Sequence, residues 1–92
     1  MKKQTQEALN LLQEECAELI VEISKCRRFG IDSVHYKTGI KHADQLAQEV
    51  GDMLALIDIL VDQGIFDIAT LDQAKEAKIT KLHIWSGIFK GD

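Results

Sequence analysis

The sequence predicts an all-α fold. Proline is absent, aromatic residues are only 5% of the chain, and apolar residues recur at helical spacing. The expected architecture is three main helices in a bundle-like domain, assembled as an oligomer. At 92 residues the chain is a single domain, 1–92, with no room for a second core. A chain this short builds a modest core, and association is a common way to enlarge it.

The first helix is expected from about Thr5 to Arg28, with Thr5 as its N-cap. Its apolar stripe is Leu9, Leu12, Cys16, Leu19, Ile20 and Ile23, extended by Ala8 and Cys26. Gly30 stops it, and Lys25, Arg27 and Arg28 in the last turn suit the negative end of the helix dipole. Residues 29–42 are the least regular part, with Gly30, Asp32-Ser33, Thr38-Gly39 and the histidines His35 and His42. Helix–helix connections usually take about two to eight residues, and longer ones often carry function. A short helical turn would fit inside it.

The second helix should start near Ala43 or Asp44 and end near Gln63, with Gly64 closing it. Leu46, Val50, Met53, Leu54, Ile57 and Val61 form one stripe, while Leu56, Ile59 and Leu60 add apolar surface elsewhere. A helix apolar round most of its circumference is buried on more than one side, which predicts a subunit interface. The third helix is expected to begin after Thr70 and to extend to about Lys81 or Leu82, with Thr70 and Gln73 forming a capping box. The apolar, aromatic tail from His83 to Phe89 would pack on a neighbour or border a pocket.

A formal net charge of -4 argues against binding a nucleic-acid polymer through a basic surface. Cys16 and Cys26 lie ten residues apart on one helix, about 15 Å of rise, too far to bridge. Free thiols fit a cytoplasmic protein. The opening residues lead into an amphipathic stretch, unlike a signal peptide. Asp58 and Asp62 interrupt the longest apolar run, so no membrane segment is expected.

Two acidic clusters carry the chemistry: Glu14-Glu15-Cys16-Ala17-Glu18 and Glu49-Val50-Gly51-Asp52. In each, carboxylates three residues apart share one helix face, and Glu22 continues the face of Glu15 and Glu18. No basic residue stands four positions on from Glu14, Glu15 or Glu18 to relieve the repulsion. Two such helices side by side would aim four carboxylates at one volume, where a hard divalent cation is the natural guest. Gly51 costs about 1 kcal/mol in a helix interior, which a close helix approach or room for a ligand would explain. Lys75, Lys78 and Lys81 step along the third helix and, with Arg27 and Arg28, are candidate phosphate contacts. His35, Tyr36 and His42 offer flat side chains beside the long loop, and Trp85 another in the tail. No glycine-rich phosphate loop or nucleophile motif appears.

Glu-Glu-x-x-Glu followed by Glu-x-x-Asp on a second helix resembles the MazG-like NTP pyrophosphohydrolases of the all-α NTP pyrophosphatase superfamily. The stretch QLAQEVGDMLALIDIL, residues 45–60, looks like that family's second motif helix, and the likeness extends over most of residues 7–82. The 30 residues between Glu18 and Glu49 slightly exceed the family's usual spacing. The extra length falls in the loop, where it bears on substrate choice rather than on metal binding. The resemblance implies Glu15, Glu18, Glu49 and Asp52 as ligands for Mg²⁺, with Mn²⁺ able to stand in. It implies Glu14 or Glu15 as the catalytic proton acceptor; Lys75, Lys78, Arg28 and Tyr36 are the substrate contacts expected from the residues themselves. The activity implied is Mg-dependent hydrolysis of (deoxy)nucleoside triphosphates to monophosphate and pyrophosphate, for nucleotide-pool sanitation or control, by a homodimer or homotetramer. The alternatives are a phosphoribosyl-ATP or dUTP pyrophosphatase of the same superfamily, and a non-catalytic helical interaction module.

Overall fold

The computed structural model describes residues 1–91 and contains three helices: α1 (Lys3–Phe29), α2 (His42–Asp62) and α3 (Ile68–Trp85). Only α1 and α2 pack extensively against each other. Their contact is an antiparallel seam. On α1, Thr5, Ala8, Leu12, Glu15, Leu19, Glu22 and Cys26 recur at alternating steps of three and four, and all are buried or half-buried. On α2 the same rhythm runs through His42, Leu46, Glu49, Met53, Leu56, Leu60 and Gln63. That is the 3.5-residue period of coiled-coil packing. Gln63 Nε2 donating to the Gln4 carbonyl at 3.4 Å ties one end, and the stacked rings of Phe29 and His42 tie the other. The register these ends imply sets Ala8 against Leu60, Leu19 against Glu49 and Cys26 against His42.

The seam differs from the apolar stripe expected of α1. Cys16, Ile20 and Ile23 are exposed, Ile20 at 67%, while Glu15 and Glu22 take inward positions. Thr5 is buried within the seam rather than capping the helix, whose N-cap position falls to Lys2. Burial against the end of α2 outweighs the single hydrogen bond a cap would supply.

Residues 30–41 form a small hairpin rather than a helical turn. Val34 and Lys41 make an isolated antiparallel bridge, and the His35 N–H donates to the Ile40 carbonyl at 2.8 Å. The hairpin then starts α2, because Ser33 and Ile31 carbonyls accept the N–H groups of His42 and Ala43 at 2.9 and 3.0 Å. Helix-start donors have no partner of their own within the helix, and here the loop's backbone supplies two.

The end of α2 is a Schellman turn. Gly64, at φ +78°, donates its N–H to the Val61 carbonyl, and Ile65 donates to Leu60, both at 2.9 Å. A β-carbon is penalised in this left-handed conformation by about 1–2 kcal/mol. Gly64→Ala is therefore expected to lower stability by about that amount, read from the urea midpoint of unfolding.

The third helix starts three residues earlier than expected, with Asp67 at its N-cap position. Thr70 is inside the first turn, its hydroxyl donating to the Asp67 carboxylate at 3.4 Å, so the Thr70–Gln73 capping box does not form. It also runs on to Trp85, beyond Leu82, until Ser86 Oγ donates to the Leu82 carbonyl at 2.7 Å. No residue of α3 is buried. The radius of gyration is 16.2 Å, against about 12 Å for a compact chain of this length. The accessible surface is 7305 Å², against about 5,400 Å² for a folded monomer of 10.3 kDa. None of the described helices is long and apolar enough to cross a membrane.

Candidate metal centre

Midway along the seam, α1 and α2 each bring acid to the contact. Carboxylate oxygens of Glu15, Glu18 and Glu49 all lie within 4.8 Å of one another. Glu15 and Glu49 occupy seam positions, and Glu18 stands beside them at the exposed edge. One Glu49 oxygen accepts a hydrogen bond from Gln45 Nε2 at 3.3 Å. The other Glu49 oxygen, Oε2, and Glu15 Oε2 are buried without a hydrogen-bond partner. Buried acceptors left unmet are costly, and a cation is the partner that satisfies several carboxylates at once. The donor set is all oxygen and anionic, which fits a hard divalent ion.

The electrostatics agree. Burial raises the Glu15 carboxyl above its usual range, reinforced by the charges of Glu18, Asp52 and Glu49. Glu18 is raised by the hydrogen bond that its protonated form would donate to Glu49, then by Glu49's charge and by burial. Asp52 stands outside the tight trio, yet its charge reaches both Glu15 and Glu18. Glu14 is exposed, about 100° round α1 from Glu15, and is not part of the trio.

Raised carboxyl affinities mean that the folded state binds more protons than the unfolded chain, so stability falls as pH rises above the ordinary glutamate value of 4.5. Metal-free protein is therefore expected to melt at a lower temperature near pH 8 than near about pH 5, where these groups hold more of their protons. Divalent cation should restore more stability near pH 8 than near about pH 5. Melting curves with EDTA and with Mg²⁺ at several pH values check both signs.

The remaining sequence candidates fall in two other places. Arg28 and Tyr36 line a cleft of about 500 Å³ between the end of α1, the 30–41 hairpin and the start of α2. Lys75 and Lys78 line a groove between α2 and α3 with Leu54, Ile57, Asp58 and Val61. None of the four motif carboxylates lines that groove, and Lys75 pairs with Asp72 at 3.6 Å. On α2, Leu54 and Asp58 lie about 160° and 120° round from Asp52, so the groove is on a different side of that helix from the acids. Trp85 is 83% exposed and touches no site within the chain. Gly51 has nothing within 4 Å of where a β-carbon would stand, so the chain itself makes no close approach there.

Two neighbours of the acids were not singled out as site residues from sequence. Gln45 donates to Glu49, and Glu22 is buried with one free oxygen. A heptad count would have exposed Glu22, because it shows a charged residue at a seam position.

The family model described as MazG nucleotide pyrophosphohydrolase domain matches residues 3–84. Among curated proteins and among solved structures, nothing matches the chain.

Proposed function

The chain belongs to the MazG nucleotide pyrophosphohydrolase domain family, and from that premise we propose that it hydrolyses (deoxy)nucleoside triphosphates to monophosphate and pyrophosphate. The observation that carries this reading is the carboxylate trio with two buried, unmet oxygens. Glu15, Glu18, Glu49 and Asp52 would hold Mg²⁺, the ion that a phosphate oxygen most often completes. When bound, Mg²⁺ supplies positive charge against the phosphate oxygens.

The chain's own groups do the rest. Glu15, within the trio, has its proton affinity raised by burial and by the neighbouring acids, which favours it as the proton acceptor. Glu14 stands beside it, exposed, as an outer relay to solvent. Gln45 orients Glu49. Arg28 and Tyr36, in the cleft beyond, contact substrate away from the reacting phosphate. Lys75 and Lys78 face away from their own chain's acids, so we assign them to phosphates held by a neighbouring copy in a homodimer or homotetramer. The excess surface of about 1,900 Å² per chain supports such an assembly, since a standard interface covers about 800 Å² per partner.

Product analysis tests the reaction. Incubation with nucleoside and deoxynucleoside triphosphates should give monophosphate and pyrophosphate with Mg²⁺, and nothing with EDTA. Diphosphate plus inorganic phosphate, or turnover that EDTA leaves intact, would refute it.

A further inference from the structure

We propose that the apolar end of α3, from Ile84 to Phe89, docks into the α2–α3 groove of a second copy of the chain. The inference rests on the assembly proposed above and is independent of the hydrolytic chemistry. The family match ends at residue 84, so all but the first residue of this segment lies beyond it. Four large apolar side chains stand in the open there: Ile84 is 67% exposed, Trp85 83%, Ile88 67% and Phe89 52%. Apolar side chains gathered at such exposure mark an interaction surface. The segment is also held in shape. Ser86 Oγ accepts the Ile88 N–H at 3.3 Å, and the Lys90 N–H donates to the Gly87 carbonyl at 3.0 Å. The Phe89 ring stacks on His83 with centroids 4.0 Å apart. A surface ordered in advance has already lost the conformational freedom that docking would otherwise cost.

The groove offers the matching concavity. Its volume is about 990 Å³, and its apolar lining is Leu54, Ile57, Val61, Ile68, Leu71 and Ile79. Asp58 and Asp62 line its α2 side, and Asp72, Lys75 and Lys78 its α3 side. Lys75 pairs with Asp72 at 3.6 Å, which leaves Asp58 and Asp62 facing Lys78 alone. The α3 end is flanked by Lys81 and Lys90, so its charge complements the acidic α2 side of the groove.

A chain cannot fill its own groove this way. Ile79 is the last α3 residue lining it, and the helix carries Trp85 about 9 Å further along the axis. A second copy can. Two chains related by a twofold axis each offer one α3 end and one groove, so the contact closes on itself. Side chains of this number and size cover on the order of 400 Å². With an equal area of groove, each chain covers about 800 Å², the size of a standard interface.

Trp85 is the chain's only tryptophan, so its fluorescence reports this site alone. In the assembled wild type it should emit at shorter wavelength than N-acetyltryptophanamide in water, and acrylamide should quench it less. Both differences should fade on dilution, in step with the fall in mass seen by sedimentation. Trp85→Ser should weaken self-association at least about 10-fold, as loss of an interface anchor does. At 83% exposure that change leaves the fold of the single chain intact. Irradiation of a chain carrying p-benzoylphenylalanine in place of Ile88 should give a crosslinked dimer, with the groove of the second copy as the attachment site by mass spectrometry. A wild type that stays monomeric at every concentration would sink the assembly and the docking together. An assembled wild type with Trp85 still open to water, self-association unchanged in Trp85→Ser, or no crosslink within the groove would overturn the docking and leave the assembly standing. Turnover enters none of these readouts, so a chain that hydrolyses no triphosphate would leave the docking untouched.

Discussion

Glu18→Gln is expected to reduce Mg-dependent triphosphate hydrolysis by on the order of 10³-fold or more, because loss of a mere outer partner of a metal ligand already costs about 10–100-fold. Asp52→Asn should behave alike. Both side chains are exposed, so neither change opens a cavity in the seam. Stability should move the other way. Glu18 is held above its ordinary proton affinity by Glu49, so removing its charge relieves repulsion in the metal-free protein. The metal-free variant should melt higher than the metal-free wild type, and Mg²⁺ should stabilise it less. Steady-state kinetics and melting curves on the same preparations check both halves. A non-catalytic interaction module predicts no Mg-dependent hydrolysis to lose and no stabilisation by Mg²⁺, and a residue of purely structural importance predicts lower stability.

On the proposed assembly of copies, Leu54→Asp should leave a 10.3 kDa monomer in sedimentation experiments. Leu54 is 50% exposed in the single chain, on the α2 side of the groove against α3. If the chain worked alone, a polar residue there would change stability by less than about 0.5 kcal/mol. At a buried interface between copies it would bury an unpaired carboxylate, which costs several kcal/mol. For a domain of this size that means a fall in melting temperature on the order of 10 °C or more. Leu54, Ile59, Ile68 and Ile79 are all at least 42% exposed, as are Ile20, Val21 and Ile23 on α1. Apolar surface of that extent seldom faces water on a monomer. A wild-type chain sedimenting at 10.3 kDa would refute the assembly directly.

Much of this was legible in the residues. Helix composition and the stops at Gly30 and Gly64 are local matters, and local chemistry settles them. The joint acidic pattern pointed to a site because its repulsion had no structural use, and the trio of Glu15, Glu18 and Glu49 follows it. What the residues concealed was the direction of α1. Its most apolar stripe includes Ile20 and Ile23, so a hydrophobic count turns that side inward. The contact instead runs through Thr5, Glu15 and Glu22, polar side chains that a hydrophobic count leaves on the surface. Helix limits shifted for a similar reason. Thr5 is a good cap by type, but its place in the seam outweighs that, and Asp67 preempts Thr70. The placement of Lys75 and Lys78 is a long-range property of how α3 leaves α2, and no local spacing encodes it.

The charged layer in the middle of the α1–α2 contact has one more consequence. A seam of uniform leucines could slide by a heptad and still bury its side chains. This one cannot slide by a heptad without parting Glu15 and Glu18 from Glu49 and setting Glu22 and Lys25, or Ala8 and Leu11, in their place. A buried polar layer of this kind is the device by which paired helices reject wrong alignments. The acids that make the fold weaker at its centre are thus also its ruler, marking the one alignment in which a cation can draw the two helices together.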